Sequence, residues 1–92
     1  MNLVCKFEIN DKKGIEVKIE KKKIRINYSD ERYKKFAYFV AYLIERDEKA
    51  LLIKENENRA YLLLADDEDE DIYYLYEIEG ENYEEEDSST YD

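Results

Sequence analysis

Residues 29–49, SDERYKKFAYFVAYLIERDEK, decide the fold, because no other run in this 92-residue chain is long and periodic enough to make a helix. At about 100° per residue, Tyr33, Phe36, Ala37, Val40, Leu43 and Ile44 fall on one face, the spacing of a helix lying on a core. Ser29 is the expected N-cap, with Asp30 and Glu31 in the first turn where carboxylates favour the positive end of the helix dipole. Arg32 stands where a capping box would have Glu. Tyr38 and Tyr42 lie a turn apart on the opposite side, flanked by Phe39 and set among Lys34, Lys35 and Glu45. Two readings stay open for this pair: amphipathic rings decorating the surface, or a contact with another chain.

On either side of the helix the period changes to two. Leu3, Cys5, Phe7 and Ile9 alternate with Val4, Lys6 and Glu8, which predicts a first strand with the former set inward, followed by a turn over residues 10–14. Ile15, Val17 and Ile19 sit at odd positions, but Ile24, Ile26 and Tyr28 at even ones; the switch requires a hairpin tip, placed at Lys21, Lys22 and Lys23. Charged Glu16, Lys18, Glu20 and Arg25 give this half of the sheet one wet face. Beyond the helix, residues 50–54 and 59–65 are apolar at both parities, the pattern of strands covered on both sides. One helix covers one face only, so the second face is expected to meet long loops or another subunit. Ile72, Tyr74, Tyr76 and Ile78 alternate with Tyr73, Leu75, Glu77 and Glu79 in a last strand stopped by Gly80. The order βββαβββ predicts an α+β fold: an antiparallel sheet of about five to six strands with one helix across it. Residues 1–79 form the expected domain; residues 80–92, GENYEEEDSSTYD, hold no apolar period and are expected to be a mobile acidic tail.

A chain of this length buries only about 60–65% of the surface its unfolded form exposes, which leaves room for one core. The single Cys5 cannot form an internal disulfide, and its strand parity predicts a buried, reduced thiol. No run approaches 18 apolar residues and residues 1–13 lack the pattern of a secretory leader, so the expectation is a cytoplasmic protein without a membrane partner.

Charge is unevenly distributed. The chain has 15 bases and 25 acids, net −10; all 15 bases and 11 of the acids lie in residues 1–64, a net of +4, which leaves 14 acids and no base in residues 65–92. Two clusters carry the negative end: Asp66, Asp67, Glu68, Asp69, Glu70 and Asp71, then Glu84, Glu85, Glu86 and Asp87. The bland reading is a solvated loop and a solubilising tail. The sharper one is that consecutive acids on an extended chain stand about 3.3 Å apart, close to the roughly 3.4 Å axial spacing of phosphates on one DNA strand. Tyr73 and Tyr83 would then be adjacent aromatic anchors for Arg side chains of a partner.

Most catalytic chemistry is missing from the residue set. Without His or a Gly-rich loop, and with one Cys on a core parity, the usual nucleophile pairs, phosphate cradles and zinc sites cannot be built, and no cofactor is implied. Asp66, Glu68, Glu70, the Ile72 carbonyl and Glu77 match an EF-hand count in part, but Asp71 occupies the place that needs Gly and strands flank it, so no metal site is assigned. Lys21, Lys22, Lys23, Arg25, Lys34 and Lys35 form a basic sequence cluster, but the acidic end opposes a direct nucleic-acid partner.

A small, acidic, Tyr-rich chain with Asp/Glu runs at 66–71 and 84–87, no cofactor motif and an A/T-rich residue palette resembles the virus- or mobile-element-encoded inhibitors that imitate DNA, anti-CRISPR proteins among them. The resemblance covers composition and residues 66–87. Those inhibitors share no common fold or motif, so it carries over no residue role, and the basic N-terminal two-thirds departs from their evenly acidic members. It implies a non-enzymatic protein that occupies a basic, nucleic-acid-binding surface of another protein. The alternative expectation is a self-associating structural or interaction protein, a homodimer joined through the two-sided strands and Tyr38 and Tyr42.

Overall fold

In a computed structural model, which describes residues 1–10 and 14–79, the alternating stretches become six strands: β1 (Asn2–Ile9), β2 (Ile15–Ile19), β3 (Lys22–Tyr28), β4 (Ala50–Asn56), β5 (Arg59–Ala65) and β6 (Ile72–Glu79). Every neighbouring pair is antiparallel, in the order β2-β3-β1-β6-β5-β4, so the α+β class and the βββαβββ sequence of elements stand. The first and last strands lie side by side at the centre.

Residues 29–49 are not one helix. A 3₁₀ helix over Glu31–Phe36 leads into α1 (Ala37–Arg46), and Tyr33 departs from helical geometry with φ −108° and ψ 16°. Asp30, not Ser29, caps the start: its carboxylate accepts from the Arg32 N–H at 3.0 Å and from the Arg32 guanidinium, which holds the carboxyl below the usual range. Ser29 ties the end of β3 to β1 instead, its Oγ accepting from the Lys6 N–H and its own N–H donating to the Lys6 carbonyl. At the other end Asp47 turns left-handed (φ 55°), and the N–H groups of Asp47 and Glu48 close on the Ile44 and Leu43 carbonyls.

Phe36, Ala37, Val40, Ala41 and Leu43 bury the inner side of this segment against Cys5, Phe7, Val17, Ile24, Ile26, Tyr61, Leu63, Tyr73 and Leu75. Tyr33 and Ile44, expected on the same face, are half-buried at its margin. The segment reaches both edge strands, β2 and β4. Six strands about 4.8 Å apart would span about 24 Å if flat, more than twice a helix diameter of about 10 Å, so the sheet must curl around α1. Cys5 is a buried free thiol, as its parity predicts.

Four local features depart from simple alternation. In β1 the pairing steps from Leu3 opposite Tyr76 to Cys5 opposite Leu75, so Val4 is an extra, bulged residue. The bulge turns Val4 onto the core and Leu3, expected inward, out to 55% exposure. The β2–β3 turn is the pair Glu20 and Lys21 rather than Lys21 to Lys23. Both have positive φ, 46° and 73°, the two left-handed residues that a tight hairpin turn needs to match strand twist. Lys22 and Lys23 therefore belong to β3. β1 and β2 do not form a hairpin: β3 lies between them, so the chain after Asn10 steps across β3 to begin β2. Gly14 makes this crossing at φ 131°, and a Cβ there would sit 2.0 Å from the Ile26 carbonyl oxygen. The turn expected over residues 10–14 lies partly outside the described residues.

Finally, the second face of β4, β5 and β6 is apolar as the sequence indicates, with Ala60 and Ile78 buried there beside Leu62. No helix or strand of the described residues packs over it.

Candidate functional site

The acidic run joins β5 to β6, and its own side chains fold it. Asp66 donates its N–H to the Ile72 carbonyl, and Ile72 donates back to the Asp69 carbonyl. Asp66 Oδ2 accepts from the N–H groups of Glu68 at 3.0 Å and Asp69 at 2.9 Å, and Asp69 Oδ1 from that of Asp71 at 2.9 Å. Those two N–H groups, that of Asp69 foremost, hold the Asp66 carboxyl below its usual range, and the Tyr74 hydroxyl adds to the effect. The run is thus a set of turns, and the spacing of about 3.3 Å per charge expected for an extended chain does not apply. Asp66 and Asp69 serve the turn. Asp67, Glu68, Glu70 and Asp71 are exposed and form no ion pair among the described residues.

Strand order then brings together what the sequence keeps apart. Because β3, β1 and β6 are consecutive in the sheet, the basic start of β3 and the acidic turn lie at the same end of the molecule. They line a cleft of about 760 Å³, with Lys22, Lys23 and Arg25 contributed by β3, Lys49 by the segment after α1, and Glu70 and Asp71 by the turn. Its apolar lining includes Ile24, Leu43 and Ile44. Sequence reasoning missed this cleft because alternation assigns faces but not neighbours.

The aromatic assignments change. Tyr73 is 4% exposed and belongs to the core, so it is no anchor for a partner. Tyr73 and Leu75 of β6 share the core that α1 covers, and burial raises the pKa of the Tyr73 hydroxyl. The rings on the outer face are Tyr74 and Tyr76, 6.5 Å apart between centroids. Glu77, expected to extend the acidic face, pairs with Arg59 at 3.0 Å. It lies about 17 Å along β6 from the turn, so the EF-hand count is not assembled in space. Among the described residues no three acidic or Cys side chains converge as metal ligands. Tyr83, Glu84, Glu85, Glu86 and Asp87 lie outside the described residues.

Tyr38 is 54% exposed with its ring edge-on to Phe39, and Tyr42 is half-buried beneath the Arg46 guanidinium, 4.6 Å from the ring centroid. Both sit on the side of α1 away from the sheet. They are therefore across the molecule from the open face of β4–β6, and the two surfaces expected to make one subunit interface do not meet. Of the basic cluster, Lys35 reaches Glu55 at 2.8 Å, joining the 3₁₀ helix to β4. No helix of the described residues is long and apolar enough to cross a membrane.

One carboxyl near the cleft is held out of its usual range. Glu45 on α1 lies against Glu20 at the β2–β3 turn, its Oε2 is buried with no hydrogen-bond partner among the described residues, and its pKa is raised, by the Glu20 carboxyl beside it first and then by burial. Lys22 and Arg46 oppose the rise. A raised folded pKa means the folded chain holds the proton more tightly. The stabilisation is complete below the ordinary value of 4.5 and is lost as pH climbs through the folded value. Glu45→Gln is therefore expected to melt higher than the parent at pH 7, with the gap closing on acidification toward 4.5. Melting curves of both proteins across that range check this; a gap independent of pH would mean that Glu45 titrates as in the unfolded chain.

Comparison of the chain with protein-family models, with curated proteins and with solved structures gives no match.

Proposed function

We propose that this chain is a small acidic binding protein that occupies a basic, nucleic-acid-binding surface of another protein, as DNA-imitating inhibitors of the viral type do. The observation that carries this reading is the division of labour in the β5–β6 turn: Asp66 and Asp69 pin the backbone, and Asp67, Glu68, Glu70 and Asp71 stand on a fixed mount with no ion pair among the described residues. Anions already held in place lose little freedom on binding, and these have no ion-pair partner among the described residues to give up. Lys22, Lys23 and Arg25 across the cleft make this end dipolar, which would admit a cationic partner from the turn side only and fix its orientation. Glu84, Glu85, Glu86 and Asp87 add charge of the same sign.

The test is capture from a cell lysate by the immobilised full chain at low salt, with elution by competing duplex DNA. The expected catch is nucleic-acid-binding proteins that DNA displaces and that raised salt releases. The variant carrying Asp67→Asn, Glu68→Gln, Glu70→Gln and Asp71→Asn keeps Asp66 and Asp69, so it should melt as the parent does yet retain about tenfold less of the same proteins, chiefly through slower association. An unchanged catch by the folded variant, or a catch that DNA does not displace, would sink the proposal.

A further inference from the structure

Two tyrosines are buried among the described residues, Tyr61 at 3% and Tyr73 at 4% exposure. The Tyr61 hydroxyl donates to Glu55 Oε2 at 3.4 Å, whereas that of Tyr73 has no hydrogen-bond partner among the described residues. A polar group carried on a buried ring is costly unless something meets it. Tyr73 lines the cleft of about 760 Å³, and the carboxylates that act on its hydroxyl, those of Asp47, Asp71 and Glu70, line the same cleft. The ring belongs to the core; the hydroxyl is a polar group on the cleft's inner wall.

Strand lengths make this cleft. β1 ends at Ile9, opposite Ile26, whereas β3 runs on past it to Lys22, so no strand of the described residues stands between that stretch of β3 and the β5–β6 turn. The gap is two strand spacings, about 10 Å, narrowed by side chains from both walls. One wall is acidic, with Glu70, Asp71 and Asp47; the other, on β3, is basic, with Lys22, Lys23 and Arg25. None of these six charges is in an ion pair among the described residues. Ile24, Leu43 and Ile44 supply apolar surface.

We infer that the cleft binds a small zwitterion with an apolar body, its ammonium group held by Asp47, Glu70, Asp71 and the Tyr73 hydroxyl and its anionic end by Lys22, Lys23 and Arg25. A ligand of one sign meets like charge on one wall, whereas a zwitterion meets opposite charge on both. The Tyr73 hydroxyl accepts from the ammonium group while donating to a neighbouring carboxylate. Length narrows the class further. A single amino acid spans about 3.5 Å, too little to bridge the walls, and two residues span about 7 Å, so the ligand has the length and charges of an apolar dipeptide. The cleft volume falls within the range of about 300–1,000 Å³ usual for small-ligand sites. A small ligand here is independent of the function proposed above, because no partner protein takes part.

Titration of the full chain with dileucine, followed by amide NMR shifts, should move the cleft residues saturably with a dissociation constant of about 0.1–1 mM. N-acetyl-dileucine and dileucine amide each lack one charge and should bind at least about tenfold more weakly, as should free leucine. Tyr73→Phe keeps the buried ring and gives up no internal hydrogen bond, so it should fold as the parent does and bind dileucine about three- to tenfold more weakly. No saturation below about 10 mM dileucine overturns the assignment. Equal affinity for the blocked peptides does so too, since it means apolar adherence only, and this comparison on the parent chain does not depend on any variant folding. Unchanged affinity in a folded Tyr73→Phe would equally remove the hydroxyl from the site and the assignment with it.

Discussion

Gly14→Ala is expected to lower the melting temperature by about 15–30 °C, a loss of roughly 3–5 kcal/mol out of a total that for 92 residues lies near 5–14. Two effects add. The φ of 131° is one that L residues rarely adopt, which costs about 1–3 kcal/mol. The new methyl would also lie 2.0 Å from the Ile26 carbonyl oxygen and 2.8 Å from the Asn27 nitrogen, both part of the β3 backbone. Because the obstacle is main chain inside a sheet, it cannot swing aside as a surface side chain would, and relieving the overlap means moving β3 or abandoning the crossing. Urea unfolding of the variant beside Glu16→Ala, an exposed neighbour expected to be neutral within about 0.5 kcal/mol, makes the comparison. A cost below about 1 kcal/mol would show that the crossing is looser than its geometry implies.

Phe36→Ala is the second large effect, expected at about 3–5 kcal/mol. The ring is 2% exposed and sits where the 3₁₀ helix becomes α1, with Tyr61 of β5 at 4.7 Å and Tyr33 and Phe39 at 6.1 and 6.0 Å between centroids. Truncation removes its apolar burial and leaves a cavity under the helix. It also strips three aromatic neighbours of a partner, each such pair being worth about 0.5–1.5 kcal/mol beyond area. Phe36→Leu keeps most of the volume and should lose less than half as much. Equal losses for the two variants, measured by denaturant unfolding, would mean that cavity volume is not the term that matters.

The parts of this fold that were legible in the sequence are those governed by period. Cys5, Phe7, Val17, Ile24 and Ile26 are buried where alternation puts them, and Phe36, Ala37, Val40 and Leu43 where helical spacing does. Period is silent about what breaks it. The bulge at Val4 reverses Leu3, and a turn of two left-handed residues hides in Glu20 and Lys21, which carry no Gly or Asn to announce it. Tyr73 and Tyr74 sit beside each other, and only the sheet decides which is core. The candidate site was legible as charge and illegible as geometry. Six adjacent acids read as a uniform strip, yet two of them spend their oxygens on backbone N–H groups. The basic residues that share the cleft are brought there by a strand order that depends on which edges meet, information spread over the whole chain.

That strand order also governs how the chain reaches its folded state. β2 and β3 can zip as a hairpin as soon as they exist, and so can β4 and β5, because their partners are a few residues away. The central seam is different: Asn2 pairs with Glu77, so the only hydrogen-bonded join between the two halves of the sheet links the two ends of the described domain. Loop closure over that separation carries the largest entropic cost of any pairing in the sheet, and a fragment that lacks β6 cannot make it. During synthesis β1 must wait beside β3 with its other edge unpaired until β6 has emerged, an interval in which that edge is open to pairing with any other strand nearby.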